Sequence, residues 1–122
     1  MITISTDKKL LQIDIIHSFL TNSYWAKGRT VNEVKKTIEN CLCFGVYKNG
    51  NQIGFGRVAT DYTVFAYLMD IFILPEYRGN GYSKKLVEAI TQAKELQQCT
   101  TWMLKTKDAQ GLYKQYGFTE LK

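Results

Sequence analysis

The sequence has little of what metal sites and disulfides require. Its 122 residues contain one histidine and three cysteines. His17 lies far along the chain from Cys41 and Cys43, and no second cysteine pair accompanies them, so the pattern predicts no metal site. Cys41 and Cys43 fall in a predicted strand with one residue between them, where their side chains would share a face and suit a disulfide poorly. We therefore expect buried free thiols.

Long apolar runs and long runs of one charge are also missing. No apolar stretch approaches the roughly 18 residues of a membrane-spanning helix, and the N-terminus lacks a signal-peptide pattern, so we expect a cytoplasmic protein without a membrane partner. Sixteen Lys and Arg against eleven Asp and Glu give a formal charge of +5. The lysines are scattered in pairs, and this scatter argues against a nucleic-acid-binding domain, which is a further interpretation of the net charge.

The length and composition predict one domain. With 45% hydrophobic residues, the chain is expected to form a single domain over residues 1–122.

Apolar periodicity predicts an alternation of strands and helices. Thr30 or Asn32 is expected to cap the second helix, and residues 48–51 to form a tight hairpin turn. Strands are expected over residues 1–5, 41–47, 52–60, 64–74, 101–105 and 118–121, and helices over 11–20, around Val31 to Ile38, from near Gly81 to Leu96, and over 109–116.

The most informative segment is the turn that joins the apolar strand 70–74 to an amphipathic helix. Pro75 ends the strand, and Gly79 and Gly81 allow the backbone to curl closely around a ligand at the helix start. The first turn of a helix has unpaired N–H groups and a partial positive charge, so the segment predicts a cradle for an anion. No Gly-x-x-x-x-Gly-Lys-Ser/Thr string occurs, and Lys84 stands where a dinucleotide fingerprint requires a third glycine. A tight turn without a ligand is the alternative.

Residues 78–83, Arg-Gly-Asn-Gly-Tyr-Ser, resemble the acyl-CoA signature Arg/Gln-x-x-Gly-x-Gly/Ala of the GNAT superfamily of N-acetyltransferases, with serine at the last position. Residues 72–77 and 109–118 are similar to the family's preceding strand and closing helix. The resemblance implies an α/β fold in the order β-α-α-β-β-β-α-β-α-β, with a mixed central sheet flanked by helices. That sheet would be split into a V between its fourth and fifth strands, where coenzyme A lies.

The resemblance also implies an activity, namely direct acetyl transfer from acetyl-CoA to a primary amine in a ternary complex. The acceptor would be a small molecule or a peptide, and dimers are common in the family. A catalytically idle acyl-CoA-binding sensor or interaction module is the alternative. None of the three cysteines has a neighbouring histidine that could activate it, so no acyl-enzyme is expected. The residues that the resemblance places against acetyl-CoA are Ile71, Ile73, Arg78, Gly79, Asn80, Gly81, Tyr82 and Ser83.

Two residues are candidates for the chemistry. By resemblance, Tyr113 would protonate the departing thiolate as a general acid, although a packed core tyrosine is the alternative. Asp70 is a lone carboxylate in an apolar run that could bind or deprotonate the amine, or simply pair with Arg57 inside the protein. Similar polyamine acetyltransferases carry Glu-Asp where this chain has Met69-Asp70. The base would therefore be Asp70 alone, or the amine would lose its proton through a relay of water.

The acceptor is expected to meet Tyr24, Trp25 and Asp61. By resemblance these residues lie in loops that line the side of the V opposite the coenzyme, and aromatic rings with an acid suit an amine cation. A hydrophobic lid on the core is the alternative for the Tyr-Trp pair.

Overall fold

The computed structural model describes residues 1–105 and 110–119. The described strands and helices follow the expected order, with small differences at the ends. They are β1 Thr3–Ser5, α1 Ile13–Thr21, α2 Val31–Glu39, β2 Leu42–Lys48, β3 Asn51–Thr60, β4 Phe65–Ile73, α3 Tyr82–Thr91, β5 Thr101–Leu104 and α4 Gln110–Lys114. None of the helices in this part of the chain is long and apolar enough to cross a membrane.

The five described strands form one mixed sheet in the order β1-β2-β3-β4-β5. The first four are antiparallel to their neighbours, whereas β4 and β5 are parallel. The predicted turn at residues 48–51 is confirmed, since Asn49 and Gly50 both have positive φ as a tight hairpin requires. The mixed α+β sheet flanked by helices is therefore the architecture that the sequence predicted.

The two faces of the sheet bury separate apolar clusters. Ile16, Leu20 and Val34 of α1 and α2 pack on one face with Phe55 and Phe72. On the other face, the buried stripe of α3 packs on the strands; it consists of Leu86, Val87 and Ile90. We call these surfaces the α1/α2 face and the α3 face. The sheet is covered on both sides, so a ligand can approach its centre only where neighbouring strands separate.

A bulge in β4 changes which residues point to each face. Phe72 pairs with Phe55 and Met69 with Arg57, so β4 has one more residue than β3 between these pairs. Leu68 packs on the α3 face before the bulge, and Ile71 packs there after it, although simple alternation would put them on opposite faces. The extra residue is Asp70, which adopts the left-handed conformation at φ 54°.

The pairing of β4 with the parallel strand β5 ends close to this bulge. Its register runs from Phe65 opposite Thr101 to Leu68 opposite Leu104. Residues 69–73 continue β4 without a partner in β5, within the ranges that the structure describes. On the side that leads to α3, β4 thus extends past its pairing with β5, at the place where the predicted V would open.

The C-terminal half differs from the expected elements at the end of α3 and at the last strand. The helix expected to run to Leu96 ends at Thr91 because Ala93 is extended, and Leu96 is buried through a separate 3-10 turn instead. The Gln97 side chain donates to the carbonyls of Thr91 and Ala93 and so stabilises this ending. The strand expected over 118–121 lies partly outside the described residues, and Phe118 and Thr119, which are described, are not in a strand.

Removing one buried hydroxyl is expected to stabilise the fold. The Tyr47 Oη is buried and has no hydrogen-bond partner among the described residues. Tyr47→Phe removes this unsatisfied group at almost constant shape, so the free energy of unfolding should rise by about 1 kcal/mol in urea denaturation. A decrease would mean that the hydroxyl is hydrogen-bonded in solution. Tyr67→Phe, at a half-buried position, provides the comparison.

Candidate active site

The N-terminus of α3 is open for an anion. Gly81 caps the helix in the left-handed conformation at φ 77° and has no side chain to close it, and no side chain in residues 1–105 or 112–119 accepts from the first-turn N–H groups. By contrast, α2 is closed by a capping box in which Thr30 and Glu33 satisfy each other's backbone N–H groups. A Cβ built at Gly79 or Gly81 would meet nothing within 4 Å. A ligand can therefore reach the backbone of the predicted cradle directly.

Two predicted cofactor-binding side chains hold the turn together. The Nε of Arg78 donates to the Ile73 carbonyl at 3.0 Å, and the Nδ2 of Asn80 donates to the Tyr77 carbonyl at 3.1 Å. These bonds fix the path of the chain between β4 and α3. The Arg78 bond also engages the Ile73 carbonyl. Of the two predicted strand residues, Ile71 therefore has the more accessible backbone groups, since it has no register partner in β3.

Lys48 adds a positive charge that sequence reasoning missed. It ends β2, and its Nζ lies 3.5 Å from the Tyr82 Oη and 5.9 Å from the ring centroid. Tyr82 is the first residue of α3, and Lys84 and Lys85 follow it in the same turn. The sequence separation of Lys48 from the glycine motif hid this proximity, which the β2–α3 packing creates.

Asp70 is held by three donors on the α1/α2 face. Its Oδ2 accepts from the Arg29 Nη1 at 2.6 Å and from the Arg57 Nε at 2.8 Å, and its Oδ1 accepts from the Trp25 Nε1 at 3.0 Å. The side chain is 2% exposed. Because an extra residue at the bulge turns the carboxylate toward Arg57, the left-handed backbone and the ion pairs support each other. The pairing with Arg57 that the sequence offered as an alternative is present, and Trp25 is brought to the same group.

All three side-chain nitrogen atoms of Arg57 donate hydrogen bonds inside the protein. Besides Asp70, it donates from Nη1 to the Cys41 Sγ at 3.3 Å and from Nη2 to the Met69 Sδ at 3.6 Å. Its side chain is 10% exposed, whereas that of Arg29 is 21% exposed. Arg57 is therefore a buried support for the bulge, and Arg29 is the arginine of this pair that reaches the surface.

The predicted aromatic pair lies beside this network. Trp25 packs against Phe19 with ring centroids 6.0 Å apart and meets Tyr24 edge-on at 5.2 Å. Phe19 in turn stacks on Phe72 of β4 at 4.0 Å. Trp25 and Tyr24 remain 41% and 62% exposed. The aromatic loop is thus anchored on the core and still presents ring surface to solvent.

The structure does not bring Asp61 to this group. Asp61 lies in the β3–β4 turn, where its Oδ1 accepts from the backbone N–H groups of Thr63, Val64 and Phe65. These hydrogen bonds hold the pKa of the Asp61 carboxyl below its usual value. The turn is at the start of β4, and Phe65 to Asp70 spans about 16 Å of strand at about 3.3 Å per residue. The geometry assigns this carboxylate to the turn, and its predicted contact with the acceptor stays a prediction.

Tyr113 lies in the apolar cluster of the α3 face, to which Ile71 and Tyr82 also belong. Its ring meets Phe118 edge-on at 6.0 Å. Burial raises the pKa of its hydroxyl to about 12. The hydroxyl therefore keeps its proton at physiological pH. Since the Asp70 side chain points to the α1/α2 face, Tyr113 and Asp70 lie on opposite faces of the sheet.

The cysteines are free and buried, as predicted. Burial raises the pKa of the Cys43 thiol to about 12, so this group is not a nucleophile at neutral pH. Within residues 1–105 and 110–119, no cluster of three or more histidine, cysteine or acidic side chains could hold a metal ion.

Loss of the Asp70 charge is expected to destabilise the protein. Asp70→Asn retains a side chain that tolerates the left-handed conformation but leaves two guanidinium groups without their counter-ion. Because both arginines reach some solvent, we expect the free energy of unfolding to fall by about 2 kcal/mol, below the range for fully buried pairs. Urea denaturation measures this, with the exposed Asp14→Asn as the control. Equal stability of the two variants would show that the ion pairs contribute nothing.

Comparisons with known proteins agree with this geometry. The family model described as an acetyltransferase (GNAT) domain matches residues 39–120. A Gibberella zeae protein that carries the provisional name of acetyltransferase is 30% identical in an alignment that covers 74% of this chain and 62% of that protein. The chain thus spans less than two thirds of that curated relative.

Solved structures extend the comparison. A Xanthomonas campestris pv. campestris protein assigned to the GNAT family is 45% identical with a TM-score of 0.96, covering 99% of this chain and 86% of that one. A Clostridium acetobutylicum structure with acetyl-CoA has a TM-score of 0.76 at 15% identity, covering 99% of this chain and 92% of that one, and supports the fold alone. Since the family model matches more than half of its residues, the chain belongs to the GNAT family of acetyltransferases.

Proposed function

We propose that the chain transfers an acetyl group from acetyl-CoA directly to a primary amine within a ternary complex. The observation that carries this proposal is the open N-terminus of α3, which has no side-chain cap and follows the part of β4 that extends past β5, where the predicted split would lie. An uncapped helix start with two left-handed glycines is suited to a pyrophosphate. The unpaired part of β4 offers backbone groups to the amides of a pantetheine arm.

The residues around this split fit acetyl-CoA. The backbone of residues 79–83 would bind the pyrophosphate, with Arg78 and Lys48 adding positive charge. Ile71, next to the bulge, would hydrogen-bond the pantetheine. When bound, acetyl-CoA supplies an activated acyl group and a thiolate leaving group.

The transfer forms a bond between the acceptor nitrogen and the acetyl carbonyl carbon and breaks the bond between that carbon and sulfur. The amine loses one proton to solvent, and the departing sulfur gains one. We propose that Tyr113 donates a hydrogen bond, and ultimately the proton, to the sulfur, and that the resulting tyrosinate regains a proton from solvent. The raised pKa keeps the hydroxyl protonated at neutral pH and available as a hydrogen-bond donor, while it also makes the hydroxyl a weaker acid.

Asp70 has a positioning role in this proposal. It fixes Trp25 and Arg29 at the bulge, on the face opposite Tyr113. Service as a base, which the sequence also suggested, would require the carboxylate to accept a proton while three donors hold it. We therefore propose that the amine enters neutral or loses its proton through solvent.

The engagement of Asp70 also favours a second candidate function. With Met69 at the position where polyamine acetyltransferases carry an acid, the bulge has no carboxylate free of partners among the described residues 69–71. A chain that binds acetyl-CoA but catalyses no transfer would be a sensor or a docking module. Such a chain would still need the α3 cradle.

A thiol-release assay separates the two functions. Purified protein is mixed with acetyl-CoA and a panel of amines, coenzyme A is quantified, and the acetylated product is identified by mass spectrometry. Release with at least one amine class, and no acetylated protein after acetyl-CoA alone, is the expected result. Binding without release across the panel would favour the sensor, and an acetylated protein would contradict direct transfer. The homodimer stays a prediction that sedimentation equilibrium can address.

A further inference from the structure

We propose that the acceptor amine carries an anionic group, a carboxylate or a phosphate, that Arg29 binds. This inference rests on the proposed acetyl transfer and names the substrate class of the same site. It differs from the amine-cation site that the aromatic residues and Asp70 suggested in the sequence. The juxtaposition that carries it is Arg29, 2.6 Å from Asp70, at the edge of a cleft beside the bulge.

The charge of Asp70 is already neutralised. One carboxylate faces the guanidinium groups of Arg29 and Arg57, so the cluster keeps an excess of one positive charge. The Trp25 indole occupies the other carboxylate oxygen. At Asp70 itself an ammonium group would find both carboxylate oxygens engaged and two guanidinium groups beside them, whereas an anion would be attracted to those groups.

The Arg29 guanidinium group has N–H donors that no described residue uses. Its Nη1 bonds Asp70, and no acceptor among the described residues meets its Nε or Nη2. A guanidinium presents five N–H groups in a planar fork that matches the oxygens of carboxylates and phosphates. Its partial exposure leaves one edge accessible. Arg57, by contrast, has all three nitrogens occupied and cannot serve a ligand in this way.

The cleft next to Arg29 has a suitable size and charge. Its volume is about 330 Å³, and it is lined by Trp25, Ala26, Lys27, Gly28, Arg29 and Glu33. This volume is at the lower end of the roughly 300–1,000 Å³ of small-molecule sites. Lys27 adds a second cation. The Glu33 carboxylate accepts from the Thr30 N–H in the capping box; its pKa is lowered chiefly by its hydrogen bonds with Thr30 and also by the nearby charge of Arg29, so it offsets one of the two cations. The lining thus has more positive than negative charge.

The position of the cleft also constrains the acceptor. Trp25 lines it and donates to Asp70, the bulge residue itself. An anion on Arg29 would therefore lie beside the bulge, in the part of β4 that extends past its pairing with β5. We expect the amine and the anionic group of the acceptor to be only a few bonds apart, as in amino acids or aminoalkyl phosphates.

Matched acceptors test this inference. An α-amino acid is compared with its amide, aminoethyl phosphate with aminoethanol, and a polyamine serves as the cationic acceptor. We expect kcat/KM to be at least tenfold higher for the carboxylate or the phosphate member than for its neutral partner. The two pairs distinguish which anion is preferred. Equal values within both pairs, or preference for the polyamine, would overturn the inference while leaving acetyl transfer intact.

Variants of Arg29 provide the second test. Arg29→Gln should raise KM for the anionic acceptor at least tenfold, leave the neutral partner within twofold, and so abolish the preference. Arg29→Lys should restore part of it. Asp70 keeps Arg57 as its partner in both variants, and Lys35→Gln, an exposed position on α2, is the control. Equal losses for anionic and neutral acceptors would indicate a structural role only and contradict the inference.

A binding measurement is independent of turnover. Trp25 lines the cleft, so its fluorescence should change on titration of the coenzyme A complex with the anionic acceptor. The Trp25→Phe variant retains only Trp102, so a fluorescence change that this variant loses comes from Trp25. A saturable change that Arg29→Gln weakens supports the inference even if no amine is acetylated. Absence of saturation for every anionic acceptor would overturn it. Failure of acetyl-CoA itself to bind would instead contradict the proposed function.

Discussion

Gly81→Val is expected to weaken acetyl-CoA binding about a hundredfold, equivalent to about 2.7 kcal/mol. Gly81 caps α3 at φ 77°, a conformation that a β-branched residue adopts only with strain. A Cβ there would meet no protein atom within 4 Å, so the branched side chain would extend into the open space where the pyrophosphate is proposed to bind. Losing one or two charge-assisted hydrogen bonds of about 1.5–3 kcal/mol each accounts for the magnitude.

Gly50→Val is the matched control for this experiment. Gly50 lies in the hairpin turn at φ 80°, and a Cβ there would also meet nothing within 4 Å. Both variants should lose similar thermal stability, but calorimetry should show weakened acetyl-CoA binding only for Gly81→Val. If both variants bind acetyl-CoA like the unmodified chain, the cradle is not at α3.

Tyr113→Phe is expected to lower kcat about a hundredfold, the lower end of the usual effect of a general acid, while acetyl-CoA affinity stays unchanged. The substitution removes one hydroxyl from a ring that packs on Phe118, so the fold should persist. Tyr116→Phe is the control, because the Tyr116 hydroxyl donates to the Lys84 carbonyl outside the proposed chemistry. Its kcat should stay within threefold. A normal kcat for Tyr113→Phe would show that the proton comes from elsewhere.

The pH profile gives the same residue a second test. Burial raises the pKa of Tyr113 to about 12, so the hydroxyl keeps its proton well above pH 10 and ionises only at higher pH. The unmodified enzyme should therefore show no fall in kcat between pH 7 and pH 10 that Tyr113→Phe abolishes. A fall near pH 9 that disappears in the variant would mean that the site lowers this pKa when it is occupied.

The sequence predicted well what local chemistry determines. The helix start at Gly81, the N-cap at Thr30, one of the two residues predicted for it, and the hairpin at Asn49 follow from residue types at fixed positions, and each is present. The bulge at Asp70 could not be predicted, because β4 is apolar on both faces and one inserted residue leaves no break in its pattern. A single αL residue there reverses which face each later side chain occupies.

Contacts between distant segments account for what the sequence missed. Arg29 lies in the loop after α1, and only the packing of that loop on β4 brings it to Asp70. The signal was indirect, since a buried carboxylate requires a counter-ion and the Trp25 loop carries one. The sequence also did not show that the Asp61 carboxylate closes its own turn, while its predicted contact with the acceptor stays a prediction. Loop geometry of this kind depends on tertiary structure.

The most direct test of the account is a calorimetric titration of the purified chain with acetyl-CoA. The open α3 terminus beside the split in the sheet predicts saturable binding of one acetyl-CoA per chain. That binding should weaken as salt screens the pyrophosphate. Absence of heat and of competition by coenzyme A would contradict the account, because cofactor, mechanism and acceptor site all depend on that cradle.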